Sequence, residues 1–313
     1  MTVSEPSATT SLRAAFNLGT PTFSARSGDR AIDPSIEPLF EKLGDLCSLP
    51  AVAQKVIQVA EDPASDADDM LAVIEQDAAV ATRLMQVVNS AYCGLRNPVA
   101  ELKTAVTLLG SDRVRNLALT VSMGALFNRQ TPVGGLNPVR LWDHSVCVAT
   151  VCRLIAKRGA NGNPEEAYLA GLLHDIGLLF INQELGSLVP RVLVQTATGT
   201  SLSDAERNVF AFDHAQIGSY VAWRCGFPEK LIDAIDYHHA PLCCPEESRD
   251  LVRIVAVANY LATRYGRGSL AGRRLPAPPE GVLEPMGLDL KVFRHLWAEL
   301  PEAVANVSEL ASA

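Results

Sequence analysis

The chain has 313 residues, 48% of them hydrophobic and 20% charged, so it is long enough for one large domain or two smaller ones. Its formal net charge of -8 argues against a general nucleic-acid binder, which would carry a basic face. No apolar run reaches the roughly 20 residues of a membrane helix, and the first residues lack a secretory signal, so we expect a cytoplasmic protein without a membrane segment.

Four segments are expected along the chain. Residues 1–32 are rich in Ser, Thr, Ala, Gly and Pro and predict a flexible tail. Residues 33–130, which open on a helix start at Asp33, carry apolar residues at helical spacing and predict an N-terminal helical lobe. Residues 131–270 predict a second helical lobe, and residues 271–313 a Pro/Gly/Arg-rich loop with a C-terminal helix interrupted by a proline. No segment shows the alternation of apolar and polar residues that is typical of a strand, so the predicted fold class is all-α, a two-lobed helical bundle.

Two polar stretches of the first lobe allow a functional and a structural interpretation. The acidic residues 61–77 suggest a metal loop, but the glycine and glutamate of a calcium loop are missing, which favours a helix start. The residues from Asn89 to Tyr92 suggest a partner or ligand surface, but short polar side chains ordinarily satisfy backbone groups at a helix end.

The helix from Ser111 to Leu126 carries Arg113 and Arg115, and Lys103 lies one helix earlier. Nucleic-acid binding is one interpretation of these three cations, and a solvated face is the favoured one. Seven cysteines without CxxC spacing predict buried thiols, with a redox pair at Cys243 and Cys244 as the alternative.

The second lobe places histidines on or beside its helices. A long helix from Val139 carries one, and a helix starting at Pro164 ends in His174 and Asp175, after which the chain is expected to bend at Gly177. Ser203 and Glu206 are spaced as a capping box for the helix that leads to the next histidine.

Five of the six histidines fall within one hundred residues. Each alone is typical of a satisfied buried side chain, but together with a neighbouring aspartate they predict a shared metal pocket. Imidazole with carboxylate favours a divalent transition metal such as Fe, Mn, Zn or Ni over Ca or Mg, in a mononuclear or dinuclear site. The candidate metal ligands are His144, His174, Asp175, His214, His238 and His239. His295 stands apart on the last helix and is expected to have no site role.

The order His144, His174-Asp175 and Asn259 resembles the HD superfamily of helical metal-dependent phosphohydrolases. The additional histidines look like the further ligands of its HD-GYP branch. The first lobe resembles the HDOD domain, the HD-related output domain. The resemblance as a whole spans roughly residues 35–265. The matching motifs are LPAVA at 49–53, DAAVA at 77–81, NSAY at 89–92 and AVTLLG at 105–110.

This chain departs from the hydrolases of that superfamily at three points. Asn259 stands where they place a second aspartate, as a degenerate ligand position, Leu178 stands where HD-GYP proteins have a lysine, and the GYP segment is absent. A phosphate clamp would need other cations, and the arginines that can stand in are Arg153, Arg158 and Arg264.

The resemblance implies a bacterial signalling module that acts on a protein partner, with a link to cyclic-dinucleotide pathways and a retained metal or ligand pocket. The departures make us expect no enzymatic turnover, and no catalytic residue is assigned. The alternative is a metal-dependent phosphohydrolase acting on a phosphodiester or nucleotide. The partner, the signal and the oligomeric state are left open by the sequence.

Overall fold

A computed structural model describes residues 49–62, 64–159, 162–270, 275–287, 289–305 and 307. The expected tail, residues 1–32, and the helix expected from Asp33 lie outside these residues. Within them the regular structure is helical, and the only β geometry is an isolated bridge between Val133 and Leu136. The predicted all-α fold is therefore confirmed. None of the helices described is long and apolar enough to cross a membrane.

Within the described residues, the first lobe contains four short helices followed by a long one. They are α1 (Ala51–Glu61), α2 (Ala67–Glu75), α3 (Ala78–Val88), α4 (Leu102–Leu109) and α5 (Ser111–Asn128). The acidic stretch is a helix start, as favoured above: the side chain of Asp66 accepts the backbone N–H groups of Asp68 and Asp69, and Asp69 accepts that of Asp66 in return.

The stretch from Asn89 to Tyr92 is a turn that closes α3. The side chain of Asn89 accepts from the backbone N–H of Val99 at 2.8 Å and donates to its carbonyl at 2.9 Å, so it pins the following loop. The hydroxyl of Ser90 donates to the carbonyl of Val87 at 2.7 Å. Asn89 thus bridges to the neighbouring loop and Ser90 satisfies a backbone carbonyl at the helix end, which was the structural interpretation.

The second lobe contains eight α-helices in the described residues. They are α6 (Pro138–Lys157), α7 (Pro164–Leu173), α8 (Ile176–Leu185), α9 (Val189–Ala197), α10 (Leu202–Phe210), α11 (His214–Arg224), α12 (Glu229–Tyr237) and α13 (Arg249–Arg264). Short 3-10 turns over Gly186–Leu188 and Glu246–Ser248 join neighbouring helices. Two further helices follow, α14 (Glu280–Leu283) and α15 (Leu290–Ala305). Pro301 lies within α15, so the interruption expected there is wrong: the helix continues through the proline.

Helices α6 and α7 form the antiparallel hairpin at the centre of the second lobe. The rings of His144 and His174 meet at one end, 5.2 Å between centroids, and Arg153 meets Glu165 at the other. A Cβ at Gly171 would lie 2.7 Å from the sulfur of Cys152, closer than any real contact. The glycine therefore lets the two helices pack closely along their length.

A buried arginine joins this hairpin to the first lobe. Arg153, 6% exposed, donates to the hydroxyl of Tyr92 at 2.8 Å and to the carboxylate of Glu165 at 2.6 Å, and its guanidinium stacks 3.8 Å from the ring centre of Tyr168. Asn116 of α5 donates to the same carboxylate at 3.1 Å. Such a network is favourable only because each charged group has partners. Apolar packing adds to it, since the buried residues of both lobes form one cluster.

Two of the three cations weighed for nucleic-acid binding have acidic neighbours. Lys103 pairs with Asp68 at 3.0 Å, and Arg115 with Asp112 at 3.3 Å. These pairs are those of a solvated face, the interpretation preferred above for these residues. All six cysteines that the structure describes are free thiols, of which Cys243 is exposed, Cys225 is half-buried and the others are buried.

Candidate metal centre

The structure brings the six candidate ligands into one cluster. His144 lies on α6, His174 and Asp175 link α7 to α8, and His214 is the first residue of α11. His238 and His239 follow the end of α12. We call these six residues the His/Asp cluster. Four helix ends and one helix middle converge there, and this explains why the ligands are spread over almost one hundred residues of sequence.

Asp175 is the centre of the His/Asp cluster. Its Oδ2 lies 3.5 Å from Nε2 of His144 and 3.4 Å from Nε2 of His174. Its Oδ1 lies 3.4 Å from Nε2 of His214 and 3.5 Å from Nε2 of His238. His239 joins this second group, with its Nε2 3.0 Å from that of His214. The carboxylate therefore stands between two sets of imidazoles, one on each oxygen.

The outer nitrogen of four imidazoles is held by an acceptor. Nδ1 of His174 is 2.8 Å from the carbonyl of Gly171, and Nδ1 of His238 is 2.8 Å from that of Ile235. Nδ1 of His144 is 2.5 Å from the carbonyl of Arg267, and that of His214 is 2.5 Å from a carboxylate oxygen. Since these oxygens only accept, Nδ1 carries the proton, and in a neutral ring Nε2 presents its lone pair to Asp175.

This donor set fits a transition-metal ion. Two ligand atoms that share a tetrahedral ion at about 2.1 Å lie about 3.4 Å apart, which is the spacing around Asp175. The buried Nε2 atoms of His174 and His238 have no hydrogen-bond partner among the described residues, as is expected of ligand atoms. Imidazoles oriented through Nδ1 by an outer oxygen are characteristic of metal ligands. The two groups of ligand atoms are His144, His174 and Asp175, and Asp175, His214, His238 and His239.

Without a metal the cluster balances its charges with one proton. Burial alone would raise the pKa of Asp175, but the imidazoles around it, of which His214 is the charged one, hold it well below its usual range. Burial lowers the pKa of His174 to about 3, so that ring is neutral. Burial would also lower the pKa of His214, but the carboxylates of Glu206 and Asp175 raise it to about 10. A metal ion would displace this proton.

Gly177 acts differently from the expectation. The chain bends at His174 and Asp175, between α7 and α8, and Gly177 is the second residue of α8. A Cβ on Gly177 would lie 2.8 Å from the carbonyl carbon of His214, closer still to its oxygen, and 2.9 Å from Ile217. The glycine is needed because the backbones of α8 and α11 touch there, which brings Asp175 next to His214.

Glu206 contacts the His/Asp cluster and was missed by the sequence interpretation. The expected capping box at Ser203 is wrong, since Ser201 caps α10 by accepting the backbone N–H of Asp204. Glu206 is 1% exposed and its carboxylate accepts from both Nδ1 and the backbone N–H of His214. Its position on the apolar stripe of α10 was the available signal, because an unpaired acid is costly there.

The remaining sequence candidates have the following contacts and exposure. Asn259 is buried, and its amide oxygen accepts from the hydroxyl of Thr263 at 3.4 Å. Leu178 packs in the core. Arg153 is held by Glu165 at the far end of the hairpin, Arg158 pairs with Glu299, Arg264 is exposed, and His295 is exposed on α15. The arginine beside the cluster is instead Arg267, whose carbonyl accepts from His144.

The ligands are nearly enclosed by protein. The side chains of His174 and His214 have no exposed surface, and those of His144, His238 and Asp175 are at most 4% exposed. His239 is the half-buried member of the cluster. A metal ion can be held in such a place, but a substrate would have to approach from the side of His239.

The fold and the site define an all-α protein with an HD-type cluster of histidines around one aspartate. The model of the HDOD domain family matches residues 46–241, and the chain therefore belongs to the HDOD family, a relative of the HD superfamily.

The chain is also similar to individual proteins. An HDOD domain protein from Geobacter sulfurreducens has 26% identity and a TM-score of 0.73, with 87% of this chain and 98% of that chain covered. A proposed phosphohydrolase from Shewanella amazonensis has 22% identity and a TM-score of 0.69, with 88% and 97% covered, and shows the fold alone. An uncharacterized protein from Treponema pallidum is 27% identical over 248 residues, 76% of this chain. This chain spans 46% of the length of that curated relative.

Proposed function

We propose that the chain is an HDOD signalling module whose His/Asp cluster binds one or two divalent transition-metal ions without turning over a substrate. The observation that carries the proposal is the near-equal spacing of four Nε2 atoms around Asp175, each on a ring oriented through its Nδ1. Nitrogen and oxygen donors of this kind suit Fe, Mn, Zn or Ni. One ion would lie among His144, His174 and Asp175, and the other among Asp175, His214, His238 and His239.

The enclosure of the cluster and the engagement of two of the expected cations speak for a non-catalytic site. Phosphoryl transfer needs positive groups that clamp the phosphate oxygens. Arg153 and Arg158 are engaged in ion pairs elsewhere, and Leu178 offers an apolar side chain where HD-GYP proteins have lysine. Arg267 lies beside the cluster, but its guanidinium is bound to Asp143.

A metal-dependent phosphohydrolase is the second candidate, and one observation favours it. Asp175 offers one oxygen to each set of histidines, an arrangement suited to two neighbouring ions that act on one phosphate. When bound, such ions would supply Lewis acidity towards a phosphate ester. Asn259 in place of an aspartate lowers the negative charge available to hold them.

Elemental analysis of the purified full chain tests the metal proposal, with titration of Mn, Fe(II), Zn and Ni into metal-free protein. We expect saturable binding that is lost in Asp175→Ala, which removes the residue shared by both ligand groups, and retained in His295→Ala, whose histidine is exposed on α15. Protein that binds none of the four ions would refute the proposal.

Hydrolysis of bis(4-nitrophenyl) phosphate and of cyclic dinucleotides by the metal-loaded protein separates the two candidates. We expect no turnover above that of His174→Ala. Turnover that disappears in His174→Ala and persists in His295→Ala would instead establish the hydrolase.

A signalling role also requires a partner, and the resemblance implies a protein partner and a link to cyclic-dinucleotide pathways. Calorimetric titration of a cyclic dinucleotide into metal-loaded and metal-free protein tests that link. Saturable binding would support direct sensing, and no binding at millimolar concentration would remove this chain as the sensor.

A further inference from the structure

The carbonyl groups that accept from Nδ1 of the cluster histidines, which we call their anchors, lie at different distances along the chain. His174 and His238 each bind the carbonyl three residues earlier, so their anchors form together with α7 and α12. His144 binds the carbonyl of Arg267, which lies 123 residues away in the loop after α13. The orientation of His144 therefore depends on where this loop is held.

The loop is fastened to α6 at residues beside His144. Nη1 of Arg267 donates to both carboxylate oxygens of Asp143, at 2.9 and 2.8 Å. Nε of Arg140 donates to the carbonyl of Gly268 at 3.0 Å. Residues 140, 143 and 144 share one face of α6, because positions three and four apart are neighbours on a helix. The loop thus lies along that face, over the ligand.

The ion pair that holds the loop is accessible to solvent, although His144 is not. The side chains of Arg267 and Asp143 are 33% and 25% exposed, whereas that of His144 is 1% exposed. A surface ion pair of this kind is weak by itself. Its consequence is positional, because it places the acceptor that keeps the proton of His144 on Nδ1.

We propose that Arg267 is a positioning residue for His144, and that its pair with Asp143 controls metal occupancy on one side of the cluster. The inference rests on the metal site proposed above and adds its regulation. When the pair is broken, the carbonyl of Arg267 leaves Nδ1, and the proton of the ring is free to move to Nε2, which then cannot ligate. Only the group of His144, His174 and Asp175 loses a ligand. The group of Asp175, His214, His238 and His239 keeps all of its ligands.

The test compares Arg267→Met with Arg267→Lys and Arg264→Met. Methionine keeps most of the bulk but removes the cation. Lysine is the rescue variant, because one nitrogen of Arg267 makes both contacts to Asp143. Arg264 is an exposed arginine at the end of α13, three residues before Arg267, and serves as the matched control. Circular dichroism first establishes that each variant is folded, and Asp143→Asn breaks the same pair from the other side should Arg267→Met fail to fold.

Zinc titration gives the first readout. In Arg267→Met we expect one class of sites to weaken by about tenfold or more, while the other class is unchanged. Arg267→Lys and Arg264→Met should titrate like the wild type. Equal affinities in Arg267→Met and the wild type, or equal weakening of both classes, would overturn the inference.

The second readout needs no metal and separates this inference from the proposed function. Long-range ¹H–¹⁵N correlation spectra of metal-free protein report which nitrogen of His144 carries the proton. We expect the Nδ1–H form in the wild type and in Arg267→Lys, and a mixture of forms in Arg267→Met. Protein that binds no metal but shows this change would refute the metal proposal and support the positioning role. An unchanged spectrum in Arg267→Met would refute the positioning role whatever the metal content.

Discussion

Substitution of Gly177 by alanine tests whether the close approach of two backbones builds the centre. The added Cβ would lie 2.8 Å from the carbonyl carbon of His214, whereas ordinary contact begins at 3.4 Å. Helices α8 and α11 would have to part by at least about 0.6 Å, and by more at the carbonyl oxygen. That displacement acts directly on the 3.4 Å separation of Asp175 and His214.

Two opposing effects decide the magnitude. Alanine is favoured over glycine by about 1 kcal/mol in a helix interior and by less at the second residue of a helix, where Gly177 lies. Overpacking costs about 1–3 kcal/mol, and more when the neighbour cannot move. Because the neighbour is backbone held in α11, we expect the clash to win, with a net loss of about 2 kcal/mol in the free energy of unfolding. Metal affinity should fall most on the side of His214.

Urea unfolding followed by circular dichroism measures the stability, and zinc titration measures the site. Gly281→Ala is the matched control, because the nearest atom to its added Cβ is a methyl group of Leu242 at 3.6 Å, an ordinary contact. That variant should be unchanged or more stable by up to about 1 kcal/mol. If Gly177→Ala is as stable as the wild type and binds zinc equally well, the argument from close approach is wrong.

Three further outcomes are expected. Arg153→Met should lower the free energy of unfolding by about 3 kcal/mol, because the carboxylate of Glu165, only 16% exposed, loses its cation. Arg158→Met, at a half-exposed pair, should cost roughly 0–1 kcal/mol, and urea unfolding compares the two variants. Glu206→Gln should weaken metal binding about 10–100-fold by removing the carboxylate that orients His214, and a metal affinity equal to that of the wild type in competition titration would contradict this role. Metal affinity should rise with pH up to about 10, because His214 must lose its proton to bind. In metal-free protein the raised pKa of His214 stabilises the fold, fully below about pH 6.5, and this stabilisation is lost as the pH rises through about 10. Calorimetry in buffers of different ionisation enthalpy at pH 8 counts the released proton, and release of none would refute the protonated state.

Much of the architecture follows from local pattern. Helical spacing of apolar residues predicts the all-α fold, and polar residues at helix ends predict starts such as Asp66. The candidate ligands are also visible in the sequence, because a histidine beside an aspartate in an apolar helix is costly unless both have partners. These inferences need only residues within a few turns of one another.

Only the tertiary structure decided how the centre is assembled. Glu206 looks like a cap until α10 packs beside His214, and Gly177 looks like a bend until α11 is found against it. The carbonyl of Arg267 carries no signal in the sequence, because every residue has one. Periodicity determines which face of a helix is buried. Which faces then meet, and so which atoms surround Asp175, depends on packing between segments that lie up to almost one hundred residues apart.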